Sequence, residues 1–137
     1  MPINYLRTVL GGLLASVMLA LGGTPLILWM RPTIMAAREA AHMPVVGQPG
    51  ILSLVELLLT GFLVVWLYAA IRPRFGAGIV TAARSGLAMW ACSVLTGTIH
   101  LINDNFGLPS SLLILIAIGI LPAFVAAGIV GAWAYRE

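Results

Sequence analysis

The chain has 137 residues, of which 61% are hydrophobic and 8% charged, and its mean hydropathy is +1.09. Soluble domains carry about 25% charged residues, so this composition excludes an ordinary water-soluble fold. The net charge of +3 comes from arginines scattered between hydrophobic runs, which excludes the contiguous basic face of a nucleic-acid-binding protein.

Four apolar stretches follow one another along the chain. Each has about the 20 residues that an α-helix needs to cross roughly 30 Å of hydrocarbon. Backbone groups in lipid must be hydrogen-bonded within their own segment, so runs of this length predict helices. The sequence therefore predicts an all-α, integral membrane bundle of four transmembrane helices in one domain, 1–137, with spans at about 9–30, 51–71, 79–102 and 112–135.

The two loops that flank the second span differ in length. Loop 31–50 begins with helix formers after Pro32, which predicts a short interfacial helix, and ends with PVVGQPG, which turns the chain back into the second span. Loop 72–78 is predicted to be a tight hairpin, in which Pro73 ends the second span and glycines permit the turn, namely Gly76 and Gly78.

Small residues recur at four-residue intervals in the first and fourth spans. Such residues let helix backbones approach closely in a bilayer, so we expect these stripes to be contact faces within the bundle. Packing against another subunit is the alternative. We also expect Pro25 and Pro122 to kink their helices. The stripes comprise Gly12, Ser16 and Ala20, and Gly119, Ala123, Ala127 and Gly131.

The arginines are distributed unequally between the two ends of the predicted bundle. Two of them, Arg31 and Arg38, belong to the end with loop 31–50. Cytoplasmic loops carry an excess of arginine and lysine, so both termini are predicted to be cytoplasmic. The other five belong to the end with the termini and are Arg7, Arg72, Arg74, Arg84 and Arg136.

Two ionisable residues, Glu56 and His100, fall at similar predicted depth in the second and third spans. An intramembrane ionisable residue is a functional hypothesis by default. The favoured interpretation is a structural hydrogen bond between them; a proton or ion relay, or a ligand or metal site that also uses Asp104 and His42, is the alternative. Their polar neighbours are Ser53, Thr60, Cys92, Thr96, Asn103, Asp104 and Asn105, of which Asn103 and Asp104 join the candidate cluster near the outer face.

Other chemistry has little support in the sequence. The chain has two histidines and no H-x-x-x-H pair, so no metal and no cofactor is predicted, although His100 alone could bind a haem or chlorin axially. G-x-S-x-G and GxxxxGK motifs are absent from the sequence, as is lysine, and no enzymatic activity is predicted. Trp90, central in the third span, is predicted to be a packing residue, and the single cysteine, Cys92, excludes an intrachain disulfide.

One part of the chain carries a resemblance. WLYAAIRPRFGAG (66–78), continued by 81–90 and matched by GAWAYRE at the end (131–137), resembles the centre of a set of small, uncharacterised four-helix bacterial membrane proteins. The resemblance implies a location in the bacterial inner membrane and brings no activity with it. Those proteins often have proline and lysine after the loop glycine, where this chain has Ile79 and Val80.

Three function classes follow from these observations. The favoured one is an accessory or structural subunit of a larger membrane complex, because the chain is small and lacks a catalytic constellation. The alternatives are a homo-oligomeric transporter or channel that uses Glu56 and His100, and a binding protein for a lipid, quinone or pigment. The predicted partners are the lipid bilayer and other membrane subunits, with self-association left open and no nucleic acid.

Overall fold

A computed structural model of the chain describes residues 4–44, 50–104 and 107–135, and no strand occurs within these three segments. Asn105, Arg136 and part of loop 31–50 lie outside the described residues. The elements are α1 (Tyr5–Ala40), α2 (Ile51–Phe75), α3 (Ile79–Trp90), a π-helical turn (Ala91–Leu95), α4 (Thr96–Asn103) and α5 (Ser110–Ala134). The π-turn joins α3 to α4 without a break, so 79–103 is one continuous rod, called here the third rod.

Within the described segments, four helical rods are long and apolar enough to cross a membrane, which confirms the predicted number; they are α1, α2, the third rod and α5. Their outward faces carry large apolar side chains, such as Leu21, Trp29 and Ile118, which are 65%, 76% and 61% exposed. Exposing apolar surface to water costs about 25 cal/mol per Å². A surface of this kind therefore indicates a multi-pass membrane protein.

Helix α5 lies at the centre of the bundle and contacts α1, α2, α3 and α4. The predicted stripe of small residues on α5 is part of this contact, as expected. A Cβ atom on Gly131 would lie 3.1 Å from the carbonyl oxygen of Gly11, and one on Gly119 would lie 2.7 Å from a methyl group of Leu26. Ala127, on the same stripe, is fully buried. The α1 and α5 backbones therefore approach closely at Gly11 and Gly131, while Gly119 makes room for the Leu26 side chain.

The predicted stripe on α1 is also a contact face within the bundle, and it faces α2. A Cβ atom on Gly12 would lie 2.8 Å from the Cα of Phe62, and the Ser16 hydroxyl donates to the carbonyl of Leu57 at 3.2 Å, so both residues contact α2. The α1 face toward α5 is the adjacent one, which includes Gly11. Gly61 of α2 completes the α1–α2 contact, because a side chain there would overlap the Ser16 hydroxyl.

Helix α1 is longer than predicted, with 36 residues that continue through Pro25 and Pro32. The segment 33–43 was expected to form a separate interfacial helix in the outer loop, but its residues 33–40 continue α1 instead. A proline has no N–H, so the carbonyl four residues before it loses its hydrogen-bond donor. The helix can continue on both sides where neighbouring groups satisfy that carbonyl. The apolar run therefore underestimates the length of this helix.

The end of α1 is closed by backbone hydrogen bonds rather than by a glycine. His42 has a positive φ of 54°, its N–H donates to the Glu39 carbonyl at 3.0 Å, and the Met43 N–H donates to the Arg38 carbonyl at 2.9 Å. This pair of bonds is a Schellman motif. The Arg38 guanidinium also donates to the carbonyl of Pro44, at 2.9 Å from Nη2.

The hairpin between α2 and α3 differs from prediction in one detail. Pro73 lies inside α2, which ends two residues later at Phe75. A proline in the last helical turn removes a single hydrogen bond, so it does not by itself end the helix. Gly76 makes the turn as predicted, with a φ of 81° and an N–H that donates to the Arg72 carbonyl at 2.9 Å.

Candidate functional site

A cleft of about 420 Å³ opens between α2 and the half of the third rod that follows α3. Its floor is apolar and comes from α1 and α5, through Leu19, Ile120 and Phe124. Its two walls carry polar and small residues. These wall residues are Ser53, Glu56 and Thr60 of α2, and Ser93, Gly97 and Thr98 of the third rod.

The α2 wall is built around Glu56. Ser53 precedes it by three residues and Thr60 follows it by four, so the three side chains share one helix face. Glu56 is exposed, and it has no hydrogen-bond or ion-pair partner among the residues that the structure describes. The cleft therefore contains a carboxyl group whose acceptor oxygens are available to a molecule that enters it.

The opposite wall is open because its residues do not pack against α2. A Cβ atom on Gly97 would have nothing within 4 Å, whereas one on Gly86, in the same rod, would overlap the carbonyl oxygen of Phe124. The Ser93 hydroxyl is satisfied within its own helix and donates to the Met89 carbonyl at 2.6 Å. Gly97 thus leaves backbone accessible at the side of the cleft.

Trp90 attaches the third rod to α5. Its indole N–H donates to the carbonyl of Ala117 in α5 at 2.8 Å, and its ring packs against the core, which confirms its predicted packing role. Helix α2 has its main contacts with this rod through α3, while α4 contacts α5. The cleft lies beyond Trp90, on the α2 side of the rod.

The prediction of a hydrogen bond between Glu56 and His100 is wrong. His100 Nε2 lies 3.1 Å from Asp104 Oδ2, one helical turn further along, and the two side chains are 76% and 50% exposed. Asn103 is exposed at the end of α4. The candidate cluster therefore divides into Glu56 in the cleft and a separate group, His100, Asn103 and Asp104, at the end of the third rod.

Two adjacent faces of the third rod carry residues at four-residue spacing, and the cleft uses the other one. Leu101, not His100, lines the cleft, together with Ser93 and Gly97. Cys92 and Thr96, reached by counting back from His100 in steps of four, are not among the lining residues. Depth along the span does not tell which of the two faces points toward α2. The sequence did contain a signal for the correct face. Ser93 and Gly97 are small residues four positions apart, the same spacing that predicted contact faces in the first and fourth spans.

The site can accept hydrogen bonds or a positive charge, and it does not contain a nucleophile paired with a histidine. Within the three described segments no group of three or more His, Cys, Asp or Glu side chains is placed to hold a metal ion. His42 lies at the end of α1 and does not line the cleft. A scan against protein-family models, a search of curated proteins and a search of solved structures each gave no match.

Proposed function

We propose that this protein is a non-enzymatic accessory subunit of a complex in the bacterial inner membrane, and that its cleft receives one transmembrane helix of a partner protein. The unpaired carboxyl group of Glu56 in the cleft is the observation that carries the proposal. A charged group costs about 2.5 kcal/mol or more at the centre of the bilayer and less toward its surface. A basic or hydrogen-bond-donating side chain on the partner helix offsets this cost and so stabilises the complex.

The small residues of the other wall support a helix as the occupant. Glycine and serine allow helix backbones to approach closely in lipid, where van der Waals packing and hydrogen bonds drive association. Gly11, Gly61 and Gly131 are already in close contact with the chain's own helices, whereas Gly97 is open to the cleft. Gly97 and Ser93 thus offer a contact face that the bundle itself does not use.

The proposed orientation has both termini in the cytoplasm. The described ends of the chain lie together, since the Asn4 N–H donates to the Tyr135 hydroxyl at 3.2 Å. Arg72 lies at the same end, with its guanidinium carbon 5.9 Å from the centre of the Tyr135 ring. The excess of arginine at this end supports the cytoplasmic assignment, and the cleft then opens toward the outer half of the bilayer.

Replacement of Glu56 tests the proposal. We expect the wild-type protein, purified from its native membrane in mild detergent, to co-purify with a membrane partner. Glu56→Gln should co-purify with roughly tenfold less of that partner or even less, because one charge-assisted hydrogen bond contributes about 1.5–3 kcal/mol. Glu39→Gln is the matched control, since Glu39 lies near the end of α1 and does not line the cleft. Equal retention by wild type and Glu56→Gln contradicts the proposal.

Site-specific cross-linking identifies the occupant. A photoreactive residue at Thr98, which lines the cleft, should give an adduct with a second membrane protein. The same residue at Ile99, 58% exposed and not a lining residue, should give none. The Thr98 adduct should also disappear in the Glu56→Gln background. An adduct between two copies of this chain supports the homo-oligomeric alternative and counts against an accessory role.

The size of the cleft favours one second candidate, a binding site for a lipid-soluble small molecule. Its volume of about 420 Å³ falls within the range of roughly 300–1,000 Å³ typical of ligand pockets. A lipid, quinone or pigment with a hydrogen-bond donor opposite Glu56 fits the mixed lining. Recovery of one such compound in an organic extract of wild-type protein, and its loss from Glu56→Gln, would favour this candidate over a partner helix.

A further inference from the structure

A second pocket lies at the opposite end of the bundle from α4, beside the α2–α3 hairpin, and has a volume of about 480 Å³. We call it the hairpin pocket. It lies between the end of α2, the start of α3 and the last turns of α5. The residues that matter below are Tyr68, Arg72, Ala77, Ile79 and Trp133, all of which line it.

The guanidinium of Arg72 lies over the buried ring of Tyr135, which Tyr68 supports in turn. Tyr135 packs edge-on against Tyr68, with ring centres 6.1 Å apart, and each tyrosine is only 4% exposed. The Arg72 guanidinium carbon lies 5.9 Å from the centre of the Tyr135 ring. A cation–π contact of this kind restricts a long side chain while leaving its N–H donors free to bind an anion.

This end of the molecule is positive. Arg74 and Arg84 lie near the ring of Phe75, at 5.9 Å and 5.6 Å from its centre. Arg72 has no carboxylate partner among the described residues. The described acidic side chains belong to other parts of the fold and are Glu39, Glu56 and Asp104.

The rest of the hairpin pocket is apolar and opens at the surface. Ile79 is 62% exposed and Trp133 is 63% exposed, so the apolar lining continues onto the outward face of the bundle. A free, hydrated phosphate gains nothing from such a surface. A molecule with an anionic head and a hydrocarbon tail uses both parts, and tryptophan is enriched where protein meets lipid headgroups.

We propose that the hairpin pocket binds one anionic phospholipid, with its phosphate on Arg72 and an acyl chain along Ile79 and Trp133. Arginine matches phosphate through two parallel N–H donors, and basic pockets between transmembrane helices bind anionic headgroups. This lipid site is separate from the cleft and does not depend on the partner proposed for Glu56.

Native mass spectrometry of the full-length protein, with phosphatidylglycerol or phosphatidylcholine added in mild detergent, tests the site. We expect wild type to retain phosphatidylglycerol roughly tenfold better than phosphatidylcholine, and Arg72→Gln to lose that preference. Arg74→Gln, two residues away and outside the pocket lining, should keep the preference. Ala77→Trp fills the pocket from an exposed position, leaves every arginine in place, and should also abolish it.

Three results would overturn the proposal. Equal losses in Arg72→Gln and Arg74→Gln would mean that general charge attracts the lipid. Full retention by Ala77→Trp would place the lipid elsewhere, and this variant decides the matter even where Arg72→Gln fails to fold. If millimolar inorganic phosphate displaces bound phosphatidylglycerol as effectively as added phosphatidylglycerol does, the site binds a free anion and not a lipid.

Discussion

Two glycines of the third rod have opposite surroundings, which makes them a matched pair of sites. A Cβ atom on Gly86 would overlap the Phe124 carbonyl oxygen and lie 2.8 Å from its carbonyl carbon, whereas one on Gly97 would meet nothing within 4 Å. We expect Gly86→Ala to lower the free energy of unfolding by about 1–3 kcal/mol, because backbone must move to admit the methyl group. Gly97→Ala should leave it unchanged or raise it by up to about 1 kcal/mol through helix propensity.

Reversible unfolding in mixed micelles, followed by circular dichroism, measures both effects. A loss of stability in Gly97→Ala as large as that in Gly86→Ala would mean that the cleft wall is packed against something within the chain. Equal stability of all three proteins would instead contradict the close approach of α3 and α5.

At the same scale, the sequence identified Glu56 as an important residue but not its environment. Hydropathy fixes roughly how deep a residue lies in a span, since depth follows position along the run. It does not fix the direction in which a side chain leaves the helix. His100 and Leu101 lie at nearly the same depth, yet Leu101 lines the cleft and His100 pairs with Asp104.

Helices are where sequence and structure agree best, because the length of an apolar run largely determines the helix. The predicted spans 51–71, 79–102 and 112–135 correspond to helices at 51–75, 79–103 and 110–134. The exception is α1, whose polar final turns around Arg38 and Glu39 do not show in hydropathy. The π-turn could not be predicted either, because ACSVL contains neither proline nor glycine.

The π-turn suggests a deletion experiment on the third rod. An i→i+5 turn contains more residues than an α-turn, so deletion of Cys92 can restore a regular helix with both flanks in place. Deletion of Leu87 instead rotates Gly86 relative to Trp90 by about 100°, which separates the Phe124 contact from the Ala117 hydrogen bond.

We expect the Cys92 deletion to fold with a stability near that of wild type and the Leu87 deletion to be strongly destabilised. Folded yield in detergent and the unfolding midpoint distinguish them. Two equally destabilised variants would show that the π-turn has a structural role of its own, and a stable Leu87 deletion would contradict the assigned faces of α3.

For the whole molecule, the arrangement of the four rods determines what each end exposes. The α2–α3 hairpin lies at the same end as Asn4 and Tyr135, while Asn103 lies at the far end of the third rod. Neighbour relations between rods were only partly predictable, because small-residue stripes occur on more faces than one. The stripe on α1 faces α2, as the closeness of Gly12 to Phe62 and the hydrogen bond from Ser16 to Leu57 show, and its sequence alone did not identify that partner.

This arrangement predicts which sites an impermeant reagent reaches. Cys92 is exposed, so labelling requires a Cys92→Ser background, in which Ala77→Cys and Asn103→Cys place single thiols at opposite ends of the third rod. If both termini are cytoplasmic, as proposed from the arginine distribution, a membrane-impermeant maleimide added to intact spheroplasts should label Asn103→Cys and spare Ala77→Cys. Inverted vesicles should give the reverse, because the cytoplasmic face is then outside. The reverse pattern in spheroplasts would mean that the termini are not cytoplasmic and that the cleft opens toward the cytoplasm. Labelling of both sites from one side would mean that the third rod does not cross the membrane.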